Sequence, residues 1–294
     1  MRCIAAHHRL ACDTVERLPG GDCPVFAAGN EWVMKFAPAH DAGALHREVA
    51  VQTTLAGSAT PLRAAMLAHG TCEDWHYLVS SRLPGRPLHE VWPTLACSDR
   101  LVLAEEFGEL LRTLHEIPPP TADVPDLPRW DVFVVRAVHE WPTRWGLERV
   151  PAALRADGPR FLEASGLESS APPSANLRLL HGDLAPENVL VHENAGRWRF
   201  SGMIDFGNAM IGDRRFDYTA PTVLLAPGDP TIVRAFLRGA GVADGRIDPA
   251  LRRALMACTL VHPMADLHDC LALLPDTLAC PTWDAVAERF WPDA

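Results

Sequence analysis

The stretch LLHGDLAPENVLV, residues 179–191, restricts the fold more than any other part of this chain. LRLL enters it and NVLV leaves it, and both read as short buried strands with a polar island between them. RWRFSGMIDFGNA then supplies a hairpin partner whose apolar strand ends in Asp205. A loop clamped by buried strands is rigid, so its polar side chains are held in place for a purpose. His181, Gly182, Asp183 and Asn188 occupy that loop and Asp205 closes the next strand, which brings three oxygen-bearing side chains together at strand ends. Asn188 and Asp205 offer hard oxygen donors of the kind Mg²⁺ takes, with phosphate oxygens and water filling its remaining positions. Asp183, earlier in the loop, is free to accept a proton. The set suits phosphoryl transfer, in which a protein chiefly positions groups and neutralises charge.

A second restriction comes from the basic residues. Of 27 of them, Lys35 is the only lysine. Arginine is a wide planar fork and lysine a compact charge on a flexible stem, so a single lysine in an arginine-tolerant chain marks a confined place that needs a point charge. Drift towards arginine-rich coding is the competing explanation, and the neighbourhood decides. Residues 14–36 read as a β-meander with turns at Pro-Gly-Gly and Gly-Asn, and the third strand, EWVMKF, carries Lys35. From Asp41, as N-cap, DAGALHREVAVQTTLAG reads as a helix that bears Glu48 and ends at Gly57. AAMLAHG and WHYLVSSRLPG add two strands, and Pro84-Gly85 closes the segment.

At 294 residues the chain exceeds the size at which a single core usually divides, so two units are expected, 1–83 and 84–294. In the second, Ser98 is expected to cap DRLVLAEEFGELLRTLHEI, whose Leu101, Ala104, Phe107, Leu111 and Leu114 recur at helical spacing until Pro118-Pro119-Pro120. Residues 118–176 show weaker periodicity, and two or three helices are expected after the Asp205 strand. A net charge of −10 without a basic stripe argues against a nucleic-acid partner. No run reaches the roughly 18 to 20 apolar residues of a membrane span, and the first residues lack a secretion signal, so a cytoplasmic location is expected. The eight cysteines lack metal or disulfide spacing and read mainly as small buried hydrophobes.

HGDLAPEN followed by IDFGNAMIGD resembles the aminoglycoside phosphotransferase family, small-molecule relatives of the protein kinases. The resemblance implies an α+β, bilobal protein-kinase-like fold: an antiparallel sheet with one helix, then a larger, mostly helical lobe. It implies ATP or GTP and Mg²⁺ as cofactors, with Asp183 orienting and deprotonating the acceptor hydroxyl and Asn188 and Asp205 holding the metal. His181 would brace the loop. Lys35 and Glu48 match the strand-three lysine and helix glutamate that reach the nucleotide phosphates. The nucleotide region would include Gly20 and Gly21 and, at the hinge, backbone of Ser80 to Arg82. Gly182 stands where protein kinases have arginine, and no long activation segment separates Asp205 from GDRRFD, which points away from protein substrates. Asp217 would brace the catalytic loop, and Asp213 would line the acceptor site. Asp266 and Asp269, three apart, would offer paired carboxylates to a cationic acceptor. Trp283, Phe290 and Trp291 are candidates for stacking on sugar rings or for the core. PGGDCP, YLVSSRLPG, IGDRRF and LVHPMADLHD resemble hygromycin B phosphotransferases, which implies an aminocyclitol acceptor; a sugar, amino alcohol, homoserine-like alcohol or macrolide stays open.

Overall fold

In the computed structural model, residues 2–10, 12, 14–19, 23–56, 63–119, 127–167 and 177–293 are described. The first of them form helix α1 (Arg2–His7), then strands β1 (Val15–Arg17), β2 (Val25–Ala28) and β3 (Trp32–Pro38). Helix α2 (Gly43–Leu55) follows, and β4 (Met66–Cys72) and β5 (Trp75–Ser81) complete an antiparallel sheet of order β1-β2-β3-β5-β4. The two-residue period of β3 sorts its side chains. Met34 and Phe36 face a cluster with Ile4 and Ala5 of α1, which the sequence reading did not foresee. Lys35 and Ala37 take the opposite face, where Ala37 packs with Leu45 of α2. Lys35 therefore points between the sheet and α2.

Asp41 is not the cap of α2. It ends a 3-10 turn, Ala39–Asp41, and the helix starts from Ala42, whose carbonyl accepts from His46 N–H at 2.9 Å. Gly57, the expected helix end, lies outside the described residues.

The chain continues with β6 (Arg86–Pro87), α3 (Leu88–Val91), α4 (Cys97–Glu116), α5 (Trp130–His139) and α6 (Ala152–Ser165). Ser98 lies inside the first turn of α4, where the extended Ala96 takes the cap position with no side-chain cap. The buried stripe of α4 holds Ala104, Phe107, Leu111 and Leu114 as the periodicity indicates. Burying a side chain of Leu or Phe size contributes about 1.5–3 kcal/mol. Gly108 of α4 allows a close approach: a Cβ there would come to 2.0 Å from the Phe236 carbonyl oxygen.

Next come β7 (Leu177–Leu180), β8 (Val189–Asn194), β9 (Arg197–Met203) and β10 (Met210–Asp213). β8 pairs with β6 and β9, while β10 returns to pair with β7, Met210 opposite Leu180. That register sets the loop leaving β7 beside the turn entering β10. Five further helices follow among the described residues, more than expected: α7 (Phe216–Leu224), α8 (Pro230–Gly239), α9 (Pro249–Val261), α10 (Leu267–Ala272) and α11 (Trp283–Phe290). Trp283, Phe290 and Trp291 are all buried in the core, which removes them as platforms for a sugar. No helix among the described residues is long and apolar enough to cross a membrane.

Candidate active site

Lys35 ties the first sheet and α2 to the turn after β9. Its Nζ donates to Glu48 Oε2 at 2.9 Å and to Asp205 Oδ1 at 2.6 Å. Burial pulls the ammonium pKa down, but the two carboxylates outweigh it, and the group stays protonated beyond the ordinary lysine range. Burial raises the Glu48 carboxyl above its ordinary value despite the lysine beside it. Asp205 is also lifted by burial, yet the Lys35 charge and hydrogen bond prevail and hold it below the usual carboxylate range. Asp205 has left-handed backbone, φ 64°, and opens a 3-10 turn, Phe206–Asn208, with Oδ1 accepting from Gly207 N–H. Arg47 of α2 donates from Nε to the Gly207 carbonyl at 2.7 Å, so the same helix grips the turn a second time.

The loop after β7 is pinned from beneath. Asp217, fully buried on α7, accepts from the backbone N–H groups of His181 and Gly182, each at 2.9 Å, and makes a 2.9 Å hydrogen bond with His115 Nε2. Burial would raise its pKa, but these donors keep it below the usual range. The buried His181 ring hydrogen-bonds to the Ile204 carbonyl at 3.0 Å and packs on Phe206, tying this loop to the β9 end. Gly182 has φ 81°, and a Cβ would fall 2.0 Å from the Asn208 carbonyl oxygen, so an arginine there is excluded by both strain and space. Asn188 Nδ2 donates to the Asp183 carbonyl at 2.9 Å, and Asn208 Nδ2 reaches Asp183 Oδ2 at 3.5 Å. Burial raises the Asp183 pKa, partly offset by His181; the nearby Asp205 charge adds to the rise. A carboxylate with raised affinity for a proton, held on a rigid loop, has the chemistry of a general base.

Asp183 lines a cleft of about 320 Å³ floored by α7, α9 and α10. Asp266 and Asp269 line it too, but not as a free pair on one helix face. Asp266 caps α10, and Arg149 reaches both carboxylates, at 2.7 Å and 2.8 Å. Asp213 is not among the lining residues; it is buried and held by Arg215, two residues on, as a local ion pair. The backbone expected to meet a base lies at the end of β5 and just beyond it. Arg82 N–H donates to the Glu31 carbonyl at 2.7 Å, and Ser80 stands opposite Val33 and Met66 in the two flanking ladders. Gly20 and Gly21 lie outside the described residues.

Among the described residues, no group of three or more His, Cys, Asp or Glu could hold a metal alone. Mg²⁺ does not require one, because it takes one or two protein oxygens and completes its shell with phosphate and water. Asp205 and Asn188 fit that need: Asp205 takes the Lys35 and Gly207 bonds on Oδ1, which leaves Oδ2, and Asn188 uses its amide nitrogen towards Asp183, leaving its carbonyl oxygen. Reading the sequence missed Asn208, Arg47, His115 and Arg149. DFGNA held a faint signal for Asn208; the other three act across long separations and carry none.

The phosphotransferase enzyme family model matches residues 15–255, which takes in Lys35, Glu48, Asp183, Asn188 and Asp205. The chain belongs to that family. An aminoglycoside 3'-phosphotransferase of Streptomyces fradiae is 32% identical over 154 residues, 52% of this chain and 54% of that protein. The chain thus spans about half the length of the curated relatives it matches. The structure of the GDP and kanamycin complex of APH(2")-IIia superposes with a TM-score of 0.69 at 18% identity, covering 97% of this chain and 95% of that one, a likeness of fold. An aminoglycoside-3'-phosphotransferase of type VIII gives a TM-score of 0.61 at 26% identity, over 88% of this chain and 96% of that one. Family membership and these superpositions agree with a bilobal, kinase-like α+β fold.

Proposed function

We propose that this protein is a nucleoside-triphosphate-dependent, Mg²⁺-requiring O-phosphotransferase acting on a hydroxyl of a small cationic molecule. Residues 1–83 serve the nucleotide, ATP or GTP, and residues 84–294 serve catalysis and the acceptor. One observation carries the reading: a single ammonium, Lys35, joins Glu48 of the first unit to Asp205 of the second, next to the loop that holds Asp183 over an open cleft. Lys35 neutralises phosphate charge from the nucleotide side. Asp205 and Asn188 would hold Mg²⁺, which would supply positive charge to the phosphate oxygens. Asp183 accepts a hydrogen bond from the acceptor hydroxyl in the cleft. The hydroxyl oxygen forms its bond to the terminal phosphorus as the bridging P–O bond to the nucleoside diphosphate breaks, and the proton passes to the Asp183 carboxylate.

The names of the relatives and the acidic rim of the cleft favour an aminoglycoside or aminocyclitol antibiotic as acceptor, hygromycin B among them. Its need for a nucleoside triphosphate favours a cytoplasmic location. Asp183→Ala should lower turnover about 10²- to 10⁴-fold with nucleotide binding retained; near-normal turnover removes Asp183 from the chemistry. Expression in a sensitive bacterium should raise resistance to at least one compound in a panel of aminoglycosides, hygromycin B and macrolides. Unchanged susceptibility to the whole panel defeats the antibiotic assignment and leaves a metabolic small-molecule kinase.

A further inference from the structure

The cleft beside Asp183 is rich in groups that accept hydrogen bonds and poor in groups that donate them. Asp183, Asp266 and Asp269 line it, and ionised carboxylates only accept. Arg149 engages the last two, and the three carboxylates together keep a negative charge that suits the ammonium groups of an aminoglycoside. Thr219 and Thr259 spend their hydroxyl protons on carbonyls of their own helices, Phe216 at 2.7 Å and Leu255 at 2.9 Å. Burial pushes the Cys270 thiol up to about 11, so it stays a neutral, weak donor. An aminoglycoside also carries ring, glycosidic and hydroxyl oxygens, and those that lose water in the cleft need a donor in return.

His262 supplies one. It is 6% exposed, yet it lines the cleft. Its ring stacks on Phe216, centroids 4.7 Å apart and planes 7° from parallel, and Nδ1 accepts from the Met264 N–H at 3.3 Å. Burial, opposed by Asp217 and assisted by Arg144, pushes its pKa down to about 4, so the ring is neutral. With Nδ1 accepting, the ring proton sits on Nε2, which has no partner among the described residues. Arg144 fixes the turn that carries the ring, donating from Nη2 to the carbonyls of His262 and Ala265 at 2.6 Å and 2.8 Å. A buried N–H without a partner is unfavourable, and one held this firmly loses little freedom when an oxygen arrives.

We infer that His262 is a specificity-determining residue of the acceptor site: its Nε2–H donates to one oxygen of the acceptor, distinct from the hydroxyl that faces Asp183. The inference rests on the proposed phosphotransfer to an aminoglycoside and deepens it. The carboxylates hold the ammonium groups, and His262 sets which way the sugar oxygens turn.

Steady-state transfer from MgATP or MgGTP to kanamycin, hygromycin B and streptomycin tests this, with the compound of highest kcat/KM as the probe. His262→Phe keeps a flat ring against Phe216 and loses the N–H, so KM for the probe should rise about tenfold with kcat and the nucleotide KM unchanged. His262→Gln places an amide N–H near the lost Nε2–H and should hold KM within about threefold. On the unaltered chain with labelled histidine, nitrogen NMR should show His262 as the Nε2–H tautomer. Its Nε2 proton should move downfield when the probe saturates the MgADP complex. This reading stands even where His262→Phe does not fold. An unchanged KM in His262→Phe, an equal rise in His262→Gln, the Nδ1–H tautomer, or an unmoved Nε2 proton overturns the inference. Transfer to none of the three compounds by the unaltered chain is a separate result, which removes the acceptor class and the inference with it.

Discussion

Lys35→Arg tests why this chain has one lysine. The ammonium is 12% exposed and lies 2.9 Å from Glu48 and 2.6 Å from Asp205, with β3, α2 and the turn after Asp205 closing around it. Arginine keeps the charge, so attraction to both carboxylates survives and only shape changes. The guanidinium is wider and directs paired N–H groups at one carboxylate, where the ammonium serves two in different directions. Forcing extra volume into a closed site costs about 1–3 kcal/mol. Displacing Asp205 by about 1 Å costs roughly 10²-fold in rate. Lys35→Arg should therefore unfold about 1–3 kcal/mol more easily and lose about 10²-fold in kcat/KM. Lys35→Met is the contrasting change: it strands the buried Glu48, and breaking such a pair costs about 3–5 kcal/mol. Lys35→Met combined with Glu48→Gln should recover part of that loss, since the stranded charge is gone. Urea unfolding followed by tryptophan fluorescence reads the stability, and a coupled nucleotide assay reads the rate. An arginine variant with unaltered kcat/KM would refute the reasoning and make the single lysine an accident of coding.

Two more changes probe the support of the loop and the cleft. Asp217→Asn replaces a carboxylate that accepts two backbone N–H groups, so the loop after β7 should loosen and unfolding stability fall by about 1–3 kcal/mol. Because the folded Asp217 pKa is depressed, its contribution is present above the ordinary carboxylate value and lost as pH falls through the folded value. Urea midpoints of the two proteins should accordingly differ at pH 7 and converge in strong acid. Burial pushes the His262 pKa from 6.5 down to about 4, so folding binds the neutral ring. The stability this provides is complete above pH 6.5 and disappears as pH falls towards 4, about 3 kcal/mol in all. His262→Gln should flatten the melting temperature over that window relative to the unaltered chain, and parallel profiles would count against it.

The sheet-and-helix start, the α4 stripe and the Asp183–Asn188–Asp205 spacing were legible because each rests on local rules. Alternation of two put Lys35 opposite Met34 and Phe36, and helical recurrence put Phe107 and Leu111 inside. Helix starts were missed at Asp41 and Ser98 because caps depend on where the preceding chain turns: a 3-10 turn consumes Asp41, and extended backbone at Ala96 begins α4 one residue before Cys97. The buried Trp283 and Trp291 show the same limit, since an aromatic side chain looks alike in sequence whether it packs or stacks.

Residue types and their spacing alone thus determined which groups could do chemistry. Only the tertiary structure decided which of them meet. Lys35 and Asp205 are 170 residues apart and become neighbours because β10 folds back on β7 while α2 grips the turn between β9 and β10. Arg149 comes from 117 and 120 residues away to engage Asp266 and Asp269, turning an apparent free pair of carboxylates into a partly compensated cluster. Charge pairing depends on distance in space, which local periodicity does not encode, so the acceptor face of the cleft became visible only once the chain was folded.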